Sequence, residues 1–103
     1  MVPFVVRGKS MEPSLREGDL VLARRAREPL AKGDVIVYRH PRHGFYVVHR
    51  VADAARGLVW TAGDCNADVD GQALSAGSIV GKVWLVLPWL GQLVRLLRRI
   101  PWP

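Results

Sequence analysis

The chain has 103 residues, half of them apolar and 23% charged, with a net charge of +6. That is enough for one compact domain over 1–103 built on a single core, too little for two, and too apolar for wholesale disorder. The lone Cys65 excludes an intramolecular disulfide framework, and the positive charge by itself does not choose between nucleic acid, an anionic membrane surface and a plain solvated face.

Taken in chain order, "PFVVRG" within "MVPFVVRGK" predicts a first strand, its apolar run too short for a signal peptide or a membrane span. "SMEPSLRE" predicts one helical turn, with Ser10 as N-cap and Pro13 in the first turn. Gly18-Asp19 and Gly33-Asp34 each read as a tight turn feeding a β-branched apolar strand, "LVLARR" and "VIVYRH". "FYVVHRVA" and "GLVWTAG" predict two more strands separated by "DAAR", and a third Gly-Asp turn follows at Gly63-Asp64. "SIVGKVWLVL" supplies a sixth strand, and "GQLVRLLRR" has the apolar spacing of an amphipathic helix. Short strands roughly ten residues apart, joined by glycine-rich turns, predict a mainly β, antiparallel barrel-like or sandwich-like domain with little helix.

The basic residues fall in two places, Arg24, Arg25 and Arg27 in the first third and Arg95, Arg98 and Arg99 at the end. The apolar stretch from Val83 to Leu90 is interrupted by Pro88 and Gly91 and followed by charge at Arg95, which argues against a transmembrane helix. Trp84, Trp89 and Trp102 beside those arginines suit a membrane-associating tail over residues 83–103. A strand and an amphipathic helix packed on the core account for the same residues.

The chemistry starts at "GKSMEPSLREGD". A serine hydroxyl is a poor nucleophile near neutral pH unless a base lies within hydrogen-bond reach and the backbone presents it outward. Gly8 two residues before Ser10 permits close approach, and a turn starting at Ser10 aims backbone N–H groups at the space where an oxyanion forms. His49 in "YVVHRV" lies on a strand whose alternation puts Val47, His49 and Val51 on one face, and an imidazole is the side chain best matched to taking a serine proton. A carboxylate is needed to fix its other nitrogen, and "GDCNADVDG" offers Asp64, Asp68 and Asp70, all equally at home in a turn. His40 and His43 share a proline-containing loop without a Cys-x-x-Cys companion, so no metal or cofactor is expected.

The ordered blocks "GKSMEPSLREGDLVLARR", "KGDVIVYRH", "VVHRV", "TAGDCNADVD" and "IVGKVWLVLPWLG" resemble the signal peptidase I family of serine endopeptidases, over nearly the whole chain. Some members use lysine as the base and others, the archaeal and endoplasmic-reticulum type, use histidine; "VVHRV" resembles the second group. The resemblance implies a Ser10 nucleophile, His49 as general base, Asp70 as the orienting acid with Asp64 as the alternative, and the Ser10 backbone N–H in the oxyanion hole. It implies substrate contacts at Gly8, Met11 and Pro13, no cofactor, and an extended peptide or preprotein substrate cut after small residues in an Ala-x-Ala-like pattern. The substrate would pair with an exposed strand edge. Membrane association with an extracytoplasmic site is implied for a true signal peptidase, a cytoplasmic setting otherwise.

Three departures stand out. Gly8 occupies a position where many members carry a serine that assists the oxyanion hole, Val69 replaces the first aspartate of the paired acidic motif, and no membrane anchor precedes Ser10. The last fits either a piece of a longer protein or a small dedicated maturation protease. A self-cleaving repressor-type domain would carry lysine where His49 stands. A non-catalytic relative serving as a binding module, and a basic nucleic-acid-binding β-barrel, are the alternatives. Phe45 and Tyr46 lie beside basic positions, but Trp84 and Trp89 sit in apolar company, so nucleic acid is not the expected partner.

Overall fold

The computed structural model describes residues 1–25, 29–65 and 68–98. Arg27, Arg99 and Trp102 lie outside the described residues. Six strands form one antiparallel sheet: β1 (Val2–Val5), β2 (Leu20–Arg24), β3 (Val35–Arg39), β4 (Tyr46–Ala55), β5 (Leu58–Ala62) and β6 (Ile79–Leu87). A short 3-10 turn (Ala76–Ser78) precedes β6, and helix α1 (Leu90–Arg98) follows it. The order across the sheet is β1-β2-β6-β3-β4-β5, so the last strand in sequence lies in the middle. The mainly β, antiparallel architecture expected from strand spacing is therefore the observed one.

Gly18 and Gly33 sit at positive φ, 92° and 99°, immediately before β2 and β3, as their Gly-Asp pairs predict. The β4–β5 connection differs from expectation. β4 runs straight through the "DAA" assigned to a loop and turns only at Arg56-Gly57, where both residues have positive φ, 52° and 77°. Two consecutive left-handed residues suit the native strand twist in a two-residue hairpin, which lets both strands keep pairing to their ends. The expected helical turn at "SMEPSLRE" is also absent. Residues 10–14 form turns, with the Leu15 N–H bonded to the Met11 carbonyl at 2.9 Å but no helix continuing from it.

Among the described residues two clusters form instead of one core. Ile36, Tyr38, Val51, Val59 and Leu74 make one, with Val47 packed against it; Val6, Met11, Leu15 and Val21 make the other, joined by Val35 and Val48. Alternate residues of β3 and β4 thus go to opposite faces, which is the reason there are two: a sheet covered on both sides buries both sets of side chains. The segment after β5 covers the first face, and the turn carrying Ser10 covers the second.

The two sheet edges are treated differently. Along β5, Val59 and Leu74 exchange backbone hydrogen bonds at 2.9 and 2.7 Å, and the Asp70 N–H donates to the Thr61 carbonyl at 2.7 Å, so that edge is occupied by the protein's own chain. β1 is the opposite edge strand, and Pro3 within it suits an edge because it has no donor to offer. The sheet curls until Phe4 of β1 meets Tyr46 at the start of β4, ring centroids 5.2 Å apart.

The stretch from Val83 is strand as far as Leu87, and among the described residues no helix is long and apolar enough to span a bilayer. The chain then bends at Trp89, whose N–H donates to the buried Asp19 carboxylate at 3.1 Å, while Asp19 also accepts from the Arg16 N–H at 2.9 Å. Gly91 lies against Gly18 and Val5, docking the first turn of α1. Beyond it Leu93, Leu96 and Leu97 stay exposed.

Candidate active site

Ser10 is held by its neighbours rather than by its own side chain. Met11 and Leu15 are buried in the second cluster and pin both ends of the turn, while Ser10 itself remains exposed. Its carbonyl accepts the Cys65 N–H at 2.9 Å. Gly63 lies directly alongside: a Cβ there would fall 2.5 Å from the Ser10 carbonyl oxygen. Glycine at 63 is thus a requirement of close approach, which the Gly-Asp turn reading does not reveal.

The hydroxyl does not serve as a helix cap. Ser10 Oγ lies 3.1 Å from His49 Nε2, and His49 Nδ1 lies 2.7 Å from Asp70 Oδ2. The short contact with a carboxylate assigns the ring proton to Nδ1, leaving Nε2 as the acceptor for the serine O–H. His49 faces Ile36 across the β3–β4 ladder, and Asp70 comes from the segment that closes the β5 edge. Three groups from distant parts of the chain therefore stand in series.

Asp64 is placed elsewhere. Both its oxygens accept from Arg50, at 2.8 and 2.9 Å, and Arg50 Nη1–H also donates to the Gly33 carbonyl at 2.8 Å. The Arg50 hydrogen bond holds the Asp64 carboxyl below its ordinary range against the opposing effect of burial, helped by a Ser14 hydrogen bond and by the Arg50 and His49 charges. The same pairing raises Arg50. Arg50 follows His49 on the strand and so points the other way, which is why one loop can give Asp70 to the imidazole and Asp64 to the guanidinium.

Beside Ser10 runs a groove of about 1040 Å³ between β1 and the start of β4, lined by Val5, Arg7, Ser10, Met11, Tyr46 and Val48 among others. Met11 touches this groove from the core. Gly8, with φ 78°, precedes Ser10 and is exposed, as is Pro13; neither lines the groove. His40 and His43 sit in the β3–β4 hairpin, where His40 Nδ1 accepts the backbone N–H groups of Arg42 and His43 at 3.2 and 3.1 Å. Among the described residues no group of three metal-ligating side chains gathers.

Thr61, Tyr38, Arg50 and Gly63 are site neighbours that sequence reasoning passed over. A polar residue inside the apolar strand "LVWTA" and a charged one next to "VVH" were the available signals.

A small antiparallel β domain that sets hydroxyl, imidazole and carboxylate in line beside a groove has the chemical equipment of a serine hydrolase. The chain belongs to the signal peptidase family, peptidase S26, whose model matches residues 1–83. It is similar to the signal peptidase complex catalytic subunit SEC11 of Metarhizium robertsii, at 34% identity over 113 residues, and of Verticillium alfalfae, at 31% over 111. It is similar also to that of Neurospora crassa, at 28% over 111 residues. Each alignment covers 95% of this chain and 64% of the relative, so the chain spans just under two thirds of the length of these curated relatives.

Proposed function

We propose that the protein is a serine endopeptidase of the histidine type that cleaves signal or leader peptides after small residues. The observation that carries this reading is the series Ser10 Oγ, His49 Nε2, His49 Nδ1, Asp70 Oδ2, with links of 3.1 and 2.7 Å. The family and the signal peptidase names of its relatives supply the substrate class.

In the proposed reaction His49 Nε2 takes the Ser10 proton as Oγ bonds to the scissile carbonyl carbon, and Asp70 stabilises the imidazolium that forms. The Ser10 N–H donates to the oxyanion. The C–N bond then breaks as His49 passes the proton to the leaving amine, leaving an acyl ester on Ser10. Water, deprotonated by His49, attacks that ester and frees the new carboxyl terminus while Ser10 regains its proton. The substrate lies extended in the groove between β1 and β4, pairing with a strand edge, and the side chain before the cut packs near Met11.

Attachment to a membrane surface through the tail is part of the proposal. Trp84, Trp89, Leu93, Leu96 and Leu97 are exposed, and Arg24 stacks over Trp84 at 5.3 Å, a combination suited to a bilayer interface.

The test is cleavage of a fluorogenic peptide carrying Ala-x-Ala before the scissile bond. Ser10→Ala and His49→Ala, each folded as judged by thermal melting, are expected to lose turnover entirely. Turnover by folded Ser10→Ala overturns the reading.

A further inference from the structure

Behind Asp70 the hydrogen bonding continues into the protein. Thr61 on β5 is 1% exposed, and its Oγ1–H donates to Asp70 Oδ2 at 2.6 Å, onto the same oxygen that faces His49. The Asp70 N–H returns a bond to the Thr61 carbonyl at 2.7 Å, so one residue holds Asp70 by main chain and side chain together. A buried hydroxyl in a strand is costly unless it is bonded, and valine would fill the same space without that cost. What the hydroxyl does here is grip the carboxylate.

Tyr38 extends the chain by one member, its phenol being hydrogen-bonded to Thr61. A threonine hydroxyl has one proton, and Asp70 receives it, so Tyr38 must donate. Burial pushes the Tyr38 phenol up, and the Asp70 charge adds to it.

We infer that Thr61, backed by Tyr38, is a positioning residue that locks the Asp70 carboxylate and, through it, the tautomer and aim of His49, an inference that rests on the catalytic reading of Ser10, His49 and Asp70. A carboxylate turns easily about its terminal torsion. With Thr61 bonded to Oδ2 that rotation stops, and the remaining lone pair of Oδ2 points at the imidazole. Thr61 does not line the substrate groove, so its effect falls on the chemical step and not on substrate binding.

The test compares wild type with Thr61→Val, Thr61→Ser, Tyr38→Phe and Ser10→Ala on the Ala-x-Ala peptide, with thermal melts for each. Thr61→Val is expected to lower kcat by about tenfold or more while KM stays within about twofold. Thr61→Ser restores most of it, and Tyr38→Phe loses a few-fold at roughly unchanged KM. By proton NMR, the His49 Nδ1–H resonance held downfield by Asp70 moves or disappears in Thr61→Val and returns in Thr61→Ser. Wild-type kcat in Thr61→Val, or Thr61→Ser as impaired as Thr61→Val with both folded, overturns the inference. Because Ser10→Ala is in the same set, a failure of Thr61 alone, with Ser10→Ala inactive, is distinct from an active Ser10→Ala, which removes the catalytic reading and the inference together.

Discussion

Gly63 lies so near Ser10 that a methyl group added to it would come within 2.5 Å of the Ser10 carbonyl oxygen and 3.1 Å of its Cβ. The obstruction is backbone, not the far end of a flexible side chain, so the turn carrying the serine has to move. Gly63→Ala is therefore expected to destabilise by about 1–3 kcal/mol and to reduce kcat by more than that loss of folded protein explains. Thermal melting and steady-state kinetics on the same preparation check it; a fully active, normally stable Gly63→Ala would show that the contact does not set the serine's position.

Asp70 and Asp64 divide the work of one loop between reaction and structure, and their amide variants should separate accordingly. Asp70→Asn keeps the shape but removes the charge that holds the imidazole proton on Nδ1, and a loss on the order of a thousandfold in kcat is expected. Asp64→Asn should cost far less activity and more stability. Its pair with Arg50 is worth about 1 kcal/mol, because the Arg50 side chain is 37% exposed and water screens it. Equal or reversed activity losses would move the orienting role to Asp64.

The Asp64 pairing also predicts how stability depends on pH. Its carboxyl is lowered from an ordinary value of 3.8 in the folded protein, so the unfolded chain binds the proton more readily. The stabilisation is present above 3.8 and disappears as pH falls from there through the lower folded value. Chemical denaturation across pH 2 to 6 should show part of the acid-side decline in wild type missing from Asp64→Asn. Parallel curves would contradict it.

Turnover should fail on the acid side for a different reason. Nε2 of His49 must be unprotonated to accept the serine proton, so kcat/KM is expected to fall as the medium is made more acidic. Far-ultraviolet circular dichroism over the same range should remain native. A flat acid limb would remove His49 as the base.

The exposed tail gives a prediction about surfaces. Trp89 is 67% exposed, with its backbone tied to Asp19, and Leu93 and Leu97 lie one helical turn apart on α1. Co-sedimentation with vesicles containing anionic lipid is expected for wild type, weakened by salt. It should fall several-fold in a Leu93→Ser, Leu97→Ser double variant whose core is untouched. Unchanged co-sedimentation would place any lipid contact elsewhere.

The six strands were legible because each is written in local terms: β-branched runs, alternation along "YVVHRV", and glycines before β2 and β3 that take the positive φ a turn needs. The β4–β5 turn was harder to read, since its glycine, Gly57, stands at the head of the apolar run "GLVWTAG" and strand pairing carries β4 on to Ala55. Ser10 and His49 could be singled out by residue type, the first in an exposed turn, the second as an imidazole on a strand.

Which of three aspartates meets the imidazole was beyond local reading, since all three are ordinary turn residues. Sequence alone determined an antiparallel β domain and the types of group able to do acyl transfer, because strand period, turn chemistry and side-chain reactivity are properties of short segments. Tertiary structure alone decided that Asp70 goes to His49 and Asp64 to Arg50, that Gly63 must lack a side chain, and that a buried Thr61 grips the carboxylate. Those outcomes depend on β5 pairing with residues 70 and 74 and on neighbouring side chains of β4 facing opposite ways, contacts between segments that no single stretch of chain encodes.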